Sequence, residues 1–110
     1  MDIFQKIIDK QVPSDIVYED DLAIAFRDID PQAPIHVLVV PKKALRTIAD
    51  VREEDRELLG HLFRVIQEVA AKEKITDYRL VVNNGRRAGQ VVPHLHIHML
   101  AGRRFGWPPG

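Results

Sequence analysis

Residues 94 to 100 read His-Leu-His-Ile-His-Met-Leu and hold three of the five histidines in this 110-residue chain, at alternate positions. Imidazole titrates near neutral pH, so it serves as nucleophile, acid, base or metal ligand. On a helix, residues two apart scatter around the axis; on a strand they share a face. A strand over 94–100 therefore lines up His94, His96 and His98 on one side and sends Leu95, Ile97 and Met99 into a core.

Three kinds of surface fit that row. One is a polar, solvent-facing strand that happens to be rich in histidine. Another is a metal site, since two imidazoles on a strand are reasonable zinc ligands. Same-face neighbours are ~6.6 Å apart, so the outer pair is separated by ~13 Å. Zinc holds its nitrogen ligands at roughly 2.1 Å, so the outer two cannot share one ion and further ligands must come from elsewhere. The third is catalysis: an imidazole attacking phosphorus needs its other ring nitrogen held by an acceptor and neighbours that stabilise phosphoryl charge.

The elements that must position this row follow from periodicity. Ile3, Phe4, Ile7 and Ile8 mark one face of a short helix with Asp2 as N-cap, and Pro13 marks its expected end. Strands are predicted at 16–19 and 22–28 around an acidic turn at Asp20 and Asp21, and at 36–41, apolar enough for burial on both faces. Leu58, Leu59, Leu62, Phe63, Ile66, Val69 and Ala70 predict a long helix from about Glu53 to Lys74. Gly60 inside it suggests close packing against its backbone. Further strands are expected at 78–84 and 94–100, with a loop over 85–89 between them and an irregular Gly/Pro tail after 100. Five strands and two helices make an α+β fold with a mostly antiparallel sheet.

Composition narrows the classes. The length suits one domain, residues 1–110. Lys plus Arg equals Asp plus Glu at 16 each, which gives no global argument for nucleic acid or a membrane surface. There is no cysteine, hence no disulfide, thiolate site or cysteine nucleophile. The N-terminus is too charged for a signal peptide and no apolar run approaches a membrane span, so a cytoplasmic protein is expected.

His94 to Leu100 fits the His-φ-His-φ-His-φ-φ pattern (φ hydrophobic) of the histidine triad family, the HIT proteins, and the likeness extends beyond it. FRDIDPQAPIHVLVVPKK (26–43), LLGHL (58–62), VVNNG (81–85), Gly89-Gln90 and GWPPG (106–110) resemble the Hint branch, the histidine triad nucleotide-binding proteins. The resemblance spans residues 2–110. It implies a HIT-like fold, a two-fold homodimer, a purine nucleotide substrate and no metal or other cofactor. The activity implied is hydrolysis of the P–N bond of purine nucleoside 5′-phosphoramidates, with acyl-adenylates also accepted. His96 would be the nucleophile, forming a covalent nucleotidyl-histidine, and His98 would contact the phosphate. The His94 carbonyl would hold the His96 ring, and the His94 side chain would form a proton relay with His36. Asp28 would accept both ribose hydroxyls. Ile3, Phe4, Ile7, Val12, Phe26 and Ile29 would surround the base. Asn83 and Gly89-Gln90-Val91 would face the phosphate and leaving group. Trp107 in the tail 101–110 would approach the partner's site.

The pattern departs from the branch in three places. Val91 stands where a small hydroxyl residue is usual, which weakens leaving-group protonation; Pro93 replaces an aromatic residue; and the loop 85–89 is more basic. Arg87-Ala88-Gly89-Gln90 leans towards a Fhit-like dinucleoside polyphosphate hydrolase. A nucleotide-binding scaffold and a zinc-binding module are the alternatives from other classes. His61 belongs to no motif and reads as structural or exposed; Arg86-Arg87 and Arg103-Arg104 read as solvated or, for a pair flanking the site, as attracting phosphate, and the basic loop 85–89 fits a more anionic substrate tail.

Overall fold

A computed structural model describes residues 2–110. Alternation along two strands decides the architecture. In β3 (Ile35–Pro41) and β5 (Ile97–Ala101), Val37, Val39, Ile97 and Met99 point to one face of the sheet, while His36, Leu38, Val40 and His98 point to the other. With β1 (Ile16–Glu19), β2 (Ala23–Arg27) and β4 (Tyr78–Val81) they form a five-stranded sheet in the order β1-β2-β3-β5-β4, antiparallel throughout. β3 is buried on both faces, as its apolar run predicts.

One face is closed by α2 (Arg56–Glu73), whose Leu62, Val65, Ile66, Val69 and Ala70 pack on Val17, Ala23, Ala25 and the inward valines of β3. Full burial of each such aliphatic side chain is worth roughly 1.5–3 kcal/mol. The helix begins three residues later than its apolar pattern suggests, because Glu53–Asp55 forms a tighter 3-10 turn. It ends at Lys74, which takes a left-handed φ of 58°. Phe63 is not part of the buried stripe: it is 52% exposed, and Val65 takes the core position. Nothing stands within 4 Å of a Cβ built on Gly60, so the expected close packing there does not occur within the chain.

The other face is covered by α1 (Ile3–Ile8), only six residues long. The Asp2 carboxylate caps it by accepting the Gln5 N–H at 2.8 Å. Phe4 and Ile7 pack against Ile24, Phe26, Leu38 and Val40. The helix stops at Ile8, not at Pro13: Lys10 adopts φ 61° and the Gln11 N–H reaches back to the Lys6 carbonyl at 2.8 Å.

Residues 94–96 were expected in the last strand, yet the ladder starts at Ile97, opposite Val39. Two residues beyond Val39, β3 ends at Pro41, which has no N–H to donate. Instead the Leu95 N–H bonds the Leu45 carbonyl at 2.7 Å, and the His94 ring takes the Pro41 carbonyl at 2.8 Å. β4 likewise ends at Val81 and releases Val82 to Asn84. Among the described residues no helix is long and apolar enough to cross a membrane.

Candidate active site

α1 is too short to cover its face, and a hollow of about 430 Å³ opens beside it. Ile3, Phe4, Ile7, Val12 and Phe26 make an apolar wall. Asp28 and Ile29 at the end of β2 form one rim, Gly89 and Val91 the other, and His96 and His98 line the hollow between them. His36 and His94 are buried behind it. Leu38, Pro13, Ser14 and Val92 also line it. Leu38 is legible only through register, as the partner of both Phe26 and His98.

Hydrogen bonds fix the tautomers. The backbone carbonyl of His94 can only accept, and it lies 2.6 Å from His96 Nδ1. The proton of neutral His96 is therefore on Nδ1, and Nε2 carries a free lone pair. The Gln32 N–H donates to His36 Nδ1 at 3.0 Å, which puts the His36 proton on Nε2. His36 Nε2 then donates to His98 Nδ1 at 2.9 Å, leaving the His98 proton on Nε2. Burial holds all three rings in the neutral state. It lowers His96 and His36 from the usual histidine value, and it pushes His98 down to about 4, aided by the neighbouring His96 and His36. The Phe4 ring meets the His96 ring edge-on with centroids 4.9 Å apart, which fixes its tilt.

The pairing of His36 corrects one expectation. Its partner is His98, not His94. Register decides this: His98 stands opposite Leu38, two residues from His36 on the same face, whereas His94 lies beyond the ladder. The His94 ring is committed to the Pro41 carbonyl, with Asp2 3.6 Å from its other nitrogen.

Asp28 combines two tasks. One oxygen accepts the Asp30 N–H at 2.9 Å, as a turn former does; the other lies 3.5 Å from His36 Nε2. Asp28, His36 and His98 bring one ligand atom each within 4.8 Å of one another. Among the described residues this is the group able to hold a metal. It takes a single histidine of the triplet, and the spacing of residues 94–98 gave no sign of it. Binding an ion there would break the His36–His98 hydrogen bond.

Asn83 and Gln90 do not line the hollow. Gln90 is buried and ties the surrounding loops together: its Nε2 donates to the Arg46 and Val92 carbonyls at 2.7 and 3.1 Å, and its Oε1 accepts the Gly85 N–H at 2.9 Å. Asn83 stands beside the loop: a Cβ built on Gly89 would lie 3.6 Å from its Nδ2. His61 bonds Asp20 at 2.6 Å, part of the β1–β2 turn. Trp107 is 83% exposed and does not pack on its own chain.

A family model described as the HIT domain matches residues 9–105, which include the whole of this site apart from α1. The chain belongs to the histidine triad (HIT) family, in its Hint branch. A purine nucleoside phosphoramidase of Escherichia coli K12 is 48% identical over 106 residues, covering 94% of this chain and 89% of that protein. A HIT-like protein of Synechocystis is 56% identical over 109 residues, covering 98% and 96%. The crystal structure of a HIT family hydrolase from Legionella pneumophila superposes with a TM-score of 0.94 at 44% identity, covering 98% of each chain. This HIT protein thus shares fold and length with relatives whose names state hydrolysis.

Proposed function

We propose that this HIT protein is a nucleotide-binding hydrolase that cleaves the P–N bond of purine nucleoside 5′-phosphoramidates through a covalent intermediate on His96. One observation carries the reading: the His94 carbonyl, 2.6 Å from His96 Nδ1, leaves Nε2 of a ring lining the hollow unprotonated. The 48% identity to a purine nucleoside phosphoramidase supports the substrate class.

The base stacks on the wall of Ile3, Phe4, Ile7, Val12 and Phe26, with Ile29 at its edge, and Asp28 accepts the ribose hydroxyls. His96 Nε2 attacks the α-phosphorus, and the new P–Nε2 bond forms as the P–N bond to the amine breaks. His98 Nε2–H donates to the phosphoryl oxygens that gain charge, with His36 holding that tautomer. The amine leaves with a proton from water at the open rim. A second water then attacks phosphorus, frees His96 and returns the proton, so one water is consumed and AMP is released. His94 acts by its carbonyl and its anchored ring, and Asn83 and Gln90 by shaping the loop beside Gly89 and Val91. No step requires a metal.

An adenosine phosphoramidate carrying a fluorescent amine tests this. Turnover is expected to be insensitive to chelator and to fall at least about 10³-fold in His96→Asn. A variant as fast as the parent removes His96 from its role, and loss on chelation removes the metal-free route. A two-fold homodimer belongs to the same reading. The outward face of α2 keeps Phe63 52% exposed beside the open Gly60, and Trp107 has no packing of its own to lose by reaching a partner. Sedimentation at micromolar concentration should give a dimer; a monomer refutes it.

A further inference from the structure

Beside the nucleotide hollow lies a second one of about 540 Å³, lined by Arg46, Thr47, Gly85, Arg86, Gln90 and Pro93, and the two share Val91. The chain as a whole is neutral, and most of its cations near the sheet are spoken for: Lys43 pairs with Asp55, Lys10 and Lys42 with Glu19, Arg27 with Asp15 and Glu73. Arg46 and Arg86 are not. Among the described residues neither guanidinium meets a carboxylate or a hydrogen-bond acceptor. The Asp50 carboxylate, close by in sequence, is turned onto the N–H and hydroxyl of Thr47.

The two arginines are held by structure, not left on a loose loop. Gly85 at φ 94° and Gly89 at φ 102° bracket a single 3-10 turn over Arg86–Ala88, conformations that a side chain would strain. Gln90 then clamps that turn to the Arg46 carbonyl and to Val92, the residue that leads into the histidine row. One buried amide thus sets both arginine-bearing segments against the nucleotide site.

We propose that this second hollow is the leaving-group subsite and that Arg46 and Arg86 select amines carrying an anionic group, a carboxylate or a phosphate. The inference rests on the phosphoramidase reading. With the nucleotide in the first hollow, a group leaving phosphorus past Val91 enters the second, where two unpaired guanidinium groups favour an anion. Val91 itself is apolar and 89% exposed, so discrimination falls to the arginines beyond it.

Four adenosine 5′-phosphoramidates test it: those of tryptamine (neutral), glutamate (carboxylate), O-phosphoethanolamine (phosphate) and cadaverine (cationic). At low salt kcat/KM for an anionic amide should exceed that for the cadaverine amide by about tenfold, and salt should erode the ratio. The glutamate and phosphoethanolamine arms tell which anion is preferred. In the double variant R46Q/R86Q the ratio should fall to within about twofold, with the loss falling on the anionic amides. Equal rates across the four amides, or a preference that survives in the double variant, overturn the subsite. Failure to cleave any of the four sinks the phosphoramidase reading and the subsite with it.

Discussion

On one face of the sheet α2 lays 18 residues across Val37, Val39, Ile97 and Met99; on the other α1 lays six across Ile24, Leu38 and Val40. Both faces are built from the same strands, one residue out of step. The long helix seals its side with aliphatic side chains down to no exposure at Leu62 and Val69. The short one leaves an end of the sheet uncovered, and there β5 presents His98, the bend before it His96 and, behind them, β3 His36. Cover length, not strand composition, separates a core from a site.

Three substitutions or conditions probe that division. The largest effect should come from the sealed face: Leu62→Ala is expected to cost about 2–5 kcal/mol in denaturant unfolding while the folded protein keeps its kcat/KM. A loss of activity without loss of stability would break the contrast between the two faces. Next is pH, which should act through the imidazole-bearing face. His98 titrates at about 4 when folded but near 6.5 when unfolded, so the unfolded state binds its proton first as pH falls. Stability should decline from about pH 6.5 towards 4, and thermal melts of His98→Asn should decline less steeply. The acid limb of activity should meanwhile lie below the ordinary histidine range, since burial lowers both His96 and His98. A rate profile with its midpoint near 6.5 would contradict this. The smallest effect is at the rim: Val91→Ser should raise phosphoramidate turnover about fivefold, ~1 kcal/mol from one added hydrogen bond. No change would make a hydroxyl there dispensable.

Much of this was legible in the chain. The cap at Asp2, the two-sided burial of β3 and the alternation around His96 and His98 are local, and local spacing reveals them. The errors share a cause. Phe63 and Val65 both fit a helical stripe, and only the sheet's position chooses between them. Pro13 reads as a stop, but Lys10 had already turned the chain. His94 looks equivalent to its neighbours until Pro41 ends β3 and withdraws it from the ladder. Gln90, within a motif, gave no sign that its amide would clamp three segments.

The sequence by itself determined that His96 and His98 line one hollow, because residues two apart on an extended chain share a face. It determined the family too, through motifs that run almost the whole length of the chain. Only the tertiary structure decided the tautomers. These depend on which atom meets each ring nitrogen, and the atoms concerned come from β3, the turn before it and the bend at His94. The β3–β5 register joins His36 to His98 across 62 positions of chain, a pairing that no local spacing contains.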